Sequence, residues 1–390
     1  MSTENTFLEK VRIRNYLSLR DVELPLKPLT VLVGPNASGK SNALEALELL
    51  RKMMKAEEPP PANFIKNRLW AGGAESMSFQ LEAGINKKKS FYTVELKPEE
   101  GNRIFKEKLV IDEVDVINVE NGKGKVRDED GTNETDYQSR KPALTSAGDY
   151  GIKPATQALN KFIRNWKFYD FDPEMISSEN IELLAGRATG ESQPKVLNER
   201  GESLRYVLSD WYGNANENFQ DVNRDFEIYS KFRINAPRNG DGLSFFEGYS
   251  KPIPIDKISD GTLRLLAYLV LNYQPELPPL LAIEEPERNL HPGWFSIVGD
   301  ILNQLSARTQ VIITTHSSQL LDTFAPQSLQ DNLGVLLLHN IRGTGTEVLI
   351  IDRARQDKKG LQNWIDEFGI GSAIFHSEMF QNIVQDSREV

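Results

Sequence analysis

The run Gly34-Pro35-Asn36-Ala37-Ser38-Gly39-Lys40-Ser41 fits the pattern G-x-x-x-x-G-K-[ST]. Its chemistry is phosphate binding. Glycines let the backbone curl until several N–H groups point inward at phosphate oxygens, and a helix starting there adds the positive end of its dipole. Lys40 would neutralise the β- and γ-phosphates, and the Ser41 hydroxyl would be a ligand to Mg2+. A chance match in a Gly-rich loop is the competing explanation. The loop's place between an apolar run and a helical pattern argues against it, so the chain is expected to bind a nucleotide.

Three further stretches could complete such a site. Leu280-Leu281-Ala282-Ile283-Glu284-Glu285-Pro286 is an apolar strand ending in two acids. Glu284 would hold Mg2+, and Glu285 would orient or deprotonate the water that attacks the γ-phosphate. Standing alone, the stretch also reads as a buried strand followed by a solvated acidic turn. Val311-Ile312-Ile313-Thr314-Thr315-His316 is another apolar strand, and His316 at its end is a candidate γ-phosphate sensor. The other histidines, His291, His339 and His376, read as structural. Ser259-Asp260-Gly261-Thr262 opens a helix; an ordinary N-cap is one reading, and an anion-binding helix N-terminus serving another copy's nucleotide is the second.

Periodicity supplies the elements that must position these groups. Phe7–Ile13 and Leu29–Val33 read as strands, and Asn42–Met54 carries apolar residues at helical spacing until three prolines end it. Residues 76–127 read as antiparallel strands, 128–151 as a polar linker or mobile loop, and 155–227 as mainly helical. A strand-like pair is expected near Phe226–Ile234 and Gly242–Tyr249. From Ser259 onward, helix and strand alternate: Leu263–Leu271, Leu280–Ile283, Pro292–Leu305, Val311–Thr314, Gly334–Leu338 and Glu347–Ile351. That alternation predicts a parallel sheet with covering helices, so the fold class is α/β.

Composition narrows the chemistry further. The 390 residues include no cysteine and four histidines, which excludes thiolate catalysis and zinc–thiolate sites. Hydrophobic residues make up 39%, enough for a sizeable core. The polar first ten residues do not resemble a signal or transit peptide. The longest apolar run, Leu265–Leu271, is far short of the roughly 20 residues a bilayer helix needs. A cytoplasmic protein with no membrane partner is the expectation. A formal charge of −10 gives no chain-wide footprint for nucleic acid.

Taken in order, these stretches resemble the ATP-binding-cassette (ABC) ATPase superfamily, within it the RecF, SMC and overcoming-lysogenization-defect (OLD) branch. The group of RecF/OLD-like AAA ATPases without a fused nuclease is the nearest resemblance. Val11-Arg12-Ile13-Arg14-Asn15-Tyr16-Leu17-Ser18-Leu19, the phosphate loop, Ser259-Asp260-Gly261-Thr262-Leu263-Arg264, Glu284-Glu285-Pro286-Glu287 and Thr314-Thr315-His316-Ser317 carry it. Tyr169-Asp170-Phe171-Asp172-Pro173 and Gly201-Glu202-Ser203-Leu204 add to it. The resemblance implies an ABC-ATPase fold with an antiparallel β subdomain and a mainly helical insertion between the Walker A and signature motifs. The corresponding division is an N-terminal lobe 1–127, a linker and insertion 128–250, and a C-terminal lobe 251–390.

It also implies a mechanism. Two copies would pair head to tail around two ATP molecules, each site joining Lys40, Ser41, Glu284, Glu285 and His316 of one copy to Ser259 and Gly261 of the other. Glu287, Arg288 and Asn289 would form the D-loop that crosses between copies. Hydrolysis would remove the bridging γ-phosphate and open the pair. The sequence departs from the superfamily in having Glu284 where Asp is usual and Asp260 where Gly is usual. Gln80 stands as the candidate for the glutamine loop.

Lys40 and Glu284 are 244 positions apart (284 − 40), so most of the chain is inserted within one site. The insertion shows no heptad repeat, which argues against SMC-like tethering. The 74 residues after His316 lack the Asp-x-Asp pair of a Toprim domain. Any effector is therefore expected on a separate chain. Lys87-Lys88-Lys89, Arg103, Lys106, Lys108, Lys123, Lys125 and Arg127 read either as solvated hairpin tips or as a DNA-tracking surface formed in a dimer. The leading expectation is an Mg-dependent ATPase switch in DNA maintenance or anti-phage defence. A nucleotide-binding scaffold with negligible turnover is the alternative, and a transporter engine is disfavoured by the atypical signature.

Overall fold

In a computed structural model of the chain, residues 6–99, 103–178, 194–236, 242–248, 250–357 and 359–376 are described. Their strands, in chain order, are β1 Thr6–Tyr16, β2 Leu19–Pro25, β3 Leu29–Val33, β4 Met77–Ile85, β5 Lys88–Leu96, β6 Ile104–Ile111, β7 Val114–Glu120, β8 Lys123–Arg127 and β9 Glu134–Gln138. There follow β10 Lys167–Tyr169, β11 Arg233–Asn235, β12 Ser244–Phe246, β13 Ile253–Pro254, β14 Leu280–Glu284, β15 Gln310–Thr315, β16 Leu333–Ile341 and β17 Gly345–Ile350.

A six-stranded sheet in the order β10-β14-β15-β3-β16-β17 forms the centre, parallel except for its last strand. Every residue of β3 and β15 is buried, the continuous apolar run expected of a strand covered on both faces. Successive side chains divide between two cores. Val31, Val33, Leu281, Ile283, Val311 and Ile313 pack with the helices Asp260–Tyr273 and Phe295–Ser306. Leu32, Leu280, Ala282 and Ile312 point the other way, toward the helices Lys40–Ala56 and Pro154–Arg164.

Beyond those two helices lies an antiparallel sheet in the order β2-β1-β4-β5-β6-β7-β8-β9. β4 shows why it has one wet face: Met77, Phe79, Leu81, Ala83 and Ile85 are buried and alternate with half-buried Ser78, Gln80, Glu82 and Gly84. Ion pairs cover much of the sheet's exposed charge. Lys10 meets Glu82 at 2.8 Å, Lys88 meets Glu129 at 3.2 Å, Lys108 meets Asp115 at 2.9 Å, and Lys125 and Arg127 share Glu134. The basic residues of this segment therefore alternate with acids instead of lining one uniform strip.

The α/β class and the parallel sheet follow the sequence pattern, but three readings need correction. Residues 128–151 are not a loop: they hold β9 and a short helix, Ala143–Ser146. Two of their acidic side chains, Asp128 and Glu129, are buried and partnered. Asp128 accepts from Asn133, the Ile152 N–H and Lys153, while Glu129 accepts from Thr156. Composition alone cannot separate such a network from solvated linker. Second, the mainly helical stretch contains β10, whose three residues are too few to show a period. Third, Phe226 belongs to the helix Glu217–Ser230, and the strand pair is the shorter β11 and β12; Tyr249 lies outside the described residues. Among the described residues, no helix is long and apolar enough to cross a membrane.

Candidate functional site

The phosphate loop leaves the carboxyl end of β3, and β14 and β15 end beside it, the edge where open α/β sheets bind ligands. The loop needs its glycines. Gly34 has φ +156° and Gly39 φ +104°, and a Cβ on either would lie 2.2 Å from the Leu338 carbonyl oxygen or 2.4 Å from Thr346 Oγ1. Ala37 adopts φ +61° between them. Lys40 begins the following helix, and its Nζ donates to the carbonyls of Gly34 at 2.8 Å and Pro35 at 2.9 Å. The side chain therefore lies folded back across the loop. Burial holds its ammonium below the ordinary lysine value, against the opposing pull of Glu285, Glu284 and Glu287.

Ser41 Oγ donates to Glu284 Oε1, joining the first turn after β3 to the end of β14. A hydroxyl and a carboxylate side by side are the hard oxygen donors Mg2+ prefers. Among the described residues, no three His, Cys, Asp or Glu side chains cluster as a self-sufficient metal cage. The pair thus suits an Mg2+ whose shell is completed by nucleotide phosphates and water.

Glu285 follows with φ +44°, unusual for a residue with a side chain, and its N–H donates to the Thr314 carbonyl at 3.0 Å. Such strain persists when the surroundings demand it and gathers at functional sites. Its carboxylate lies 3.2 Å from His316 Nδ1, where β15 ends. Glu287 turns inward: Thr315 Oγ1 donates to its Oε1 at 2.5 Å, Oε2 is buried with no partner among the described residues, and burial raises its pKa. Glu287, Arg288, Asn289, Phe295 and His316–Gln319 line a cleft of about 470 Å³.

Ser259 and Gly261 open a helix that packs on the loop after Glu285. Ser259 caps the helix Asp260–Tyr273 by accepting the Thr262 N–H, so the N-cap reading describes what it does within one chain. A Cβ on Gly261 would lie 2.5 Å from the Asn289 carbonyl oxygen, which packs the helix start against its own D-loop. Among the described residues, neither is hydrogen-bonded to the phosphate loop. Gln80 sits in mid-β4, paired in register with Arg12 and Thr93. His291 accepts the Gly293 N–H at 3.0 Å in a helical turn, and His339 lies 3.7 Å from Glu347.

Sequence reasoning missed the residues that brace the loop from outside. Thr346 Oγ1 donates to the Ser38 carbonyl at 3.0 Å and lies 2.8 Å from Ser18 Oγ, to which Asn42 Nδ2 also donates. Isolated hydroxyls in a hairpin and a turn carry no signal of that kind. Asp170, within Tyr169-Asp170-Phe171-Asp172-Pro173, receives Arg288 of the D-loop, a contact no spacing in the sequence announces.

Known proteins are similar to this chain in sequence and in fold. A 43-residue stretch, 11% of the chain and 8% of the relative, is 44% identical to an OLD nuclease of Thermus scotoductus. The Old nuclease of Escherichia phage P2 is 24% identical over 343 residues, 80% of this chain and 57% of the relative. The chain thus spans little more than half of the phage protein. In fold it is similar to an SMC head solved with the C-terminal winged-helix domain of ScpA: TM-score 0.53, 16% identity, 90% of this chain and 99% of that one. The family described as "AAA domain, putative AbiEii toxin, Type IV TA system" matches residues 29–322, from the first residue of β3 to just beyond His316. With three quarters of the chain matched, it belongs to that family, and the family, the OLD relatives and the SMC-head fold together mark it as an ABC-type P-loop ATPase of the RecF/SMC/OLD-like kind.

Proposed function

We propose that the chain hydrolyses ATP in a head-to-tail pair and serves as a conformational switch for a separately encoded effector in DNA maintenance or anti-phage defence. One observation carries this reading. Lys40, Ser41, Glu284, Glu285 and His316 converge at one edge of the central sheet, while among the described residues neither Ser259 nor Gly261 is hydrogen-bonded to the phosphate loop. A site so divided is completed by a second copy that presents its own Ser259 and Gly261.

Within each copy the roles follow from chemistry. The loop amides and Lys40 would bind the β- and γ-phosphates, Lys40 exchanging its two carbonyl partners for phosphate oxygens. Ser41 and Glu284 would hold Mg2+, which supplies charge neutralisation across the phosphates. Glu285 would align and take a proton from the attacking water. His316, beside Glu285, would donate to the γ-phosphate and report its loss. The test is light scattering of Glu285→Gln with saturating ATP and Mg2+: dimer formation supports the composite site, and a persistent monomer overturns it. Phosphate release from wild type no faster than from Lys40→Ala would replace the switch by a non-hydrolysing scaffold.

A further inference from the structure

Asp170 follows β10 directly, and Tyr169 pairs with Ile283 of β14, so its backbone sits level with Glu284 one strand away. Its carboxylate gathers three guanidiniums. Arg288 of the D-loop donates to Oδ1, Arg264 of the helix Asp260–Tyr273 lies 3.7 Å from the same oxygen, and Arg200 donates to Oδ2 at 3.0 Å. Arg264 is 3% exposed, and its Nε and Nη1 have no partner among the described residues. A buried guanidinium with so few acceptors depends on the carboxylate it has.

Behind Arg200 the chain continues the connection. The Asp170 and Asp172 amides donate to the Glu199 and Arg200 carbonyls at 3.0 and 3.1 Å. Glu199 in turn accepts Arg51 of the phosphate-loop helix at 2.5 Å. These two paired segments together touch the helix that follows the phosphate loop, through Glu199, and the D-loop, through Asp170.

We propose that Asp170 is a positioning residue for the reaction: it fixes Arg288, and through it the D-loop that follows Glu285, against the helix Asp260–Tyr273. Arg264, Arg288 and Arg200 are three cations against Asp170 and Asp172. Of the three, only Arg200 meets Asp172, so replacing Asp170 by Asn would leave Arg264 and Arg288 without a carboxylate partner among the described residues and release the D-loop.

The turnover part of the test rests on the ATPase reading, and the exchange part stands without it. In nucleotide-free full-length protein, Asp170→Asn is expected to speed hydrogen–deuterium exchange of residues 286–290 by about threefold or more while β4 keeps its wild-type rate. With ATP and Mg2+, kcat should fall about tenfold or more, with KM within about twofold and partial recovery in Asp170→Glu. Unchanged exchange at 286–290 overturns the proposal whatever the turnover. Equal losses in kcat and nucleotide affinity, with faster exchange in β4, would make Asp170 only a fold residue. Should Asp170→Asn fail to fold, Arg288→Gln, which leaves the sheet edge intact, gives the same exchange measurement with the same two outcomes. A wild type that does not hydrolyse ATP sinks the ATPase reading alone, and the exchange result still decides the role of Asp170.

Discussion

His316 Nδ1 stands 3.2 Å from Glu285 Oε1, at the ends of adjacent strands. A carboxylate held by an imidazole is oriented before nucleotide arrives. Replacing Glu285 by Gln keeps the shape and removes the base. Turnover should fall on the order of 10²- to 10⁴-fold, the usual contribution of general-base catalysis, with ATP affinity nearly unchanged. Single-turnover phosphate release beside equilibrium nucleotide binding would measure both.

Lys40 gives the opposite signature. On the proposed reading phosphate oxygens would replace its two carbonyl partners, so Lys40→Ala should lose nucleotide rather than turnover alone. Hydrogen bonds to a charged group are worth about 1.5–3 kcal/mol, so the loss in affinity should be about 10- to 100-fold. Calorimetric titration with ATP and Mg2+ measures it; a variant that binds as wild type would show that the amides alone hold the phosphates.

Gly39→Ala tests the loop's architecture. The new Cβ would need φ +104° and would approach Thr346 Oγ1 to 2.4 Å. Strain of that kind costs about 1–3 kcal/mol, so both melting temperature and ATP affinity should drop. Thr346→Val removes the bond to the Ser38 carbonyl without the strain and should weaken ATP binding with a smaller loss of stability.

A pH effect is expected from Glu107, which is buried in the antiparallel sheet and accepts from Tyr92 and from the Ala143 and Leu144 amides. Burial outweighs these bonds and raises its pKa above the ordinary 4.5. The folded state therefore holds a proton the unfolded chain has already lost, and this contribution to stability declines as pH rises from 4.5 through the raised value. Melting curves across that range should show a steeper decline in wild type than in Glu107→Gln, even if the variant is less stable throughout. Equal slopes would refute the assignment.

Much of the phosphate site was legible because its requirements are local. Gly34, Gly39, Lys40 and Ser41 sit at fixed offsets, and the apolar strands before Glu284 and His316 announce which end faces the ligand. What stayed hidden depends on contacts between distant residues. Asp128 and Glu129 look like linker until their buried partners Lys153 and Thr156 are known. The three residues of β10 cannot display a period. Arg288 and Asp170 are an ordinary pair of charges until the sheet brings them together.

The placement of β3 has a consequence for how the protein is made. Its neighbours on both sides, β15 and β16, come from the last quarter of the chain. A nascent polypeptide carrying the complete phosphate loop would have no sheet in which to hold it, because such pairings close late and over long sequence separations. Nucleotide affinity would then mark a chain synthesised at least through β16, so ATP could favour finished molecules over interrupted ones.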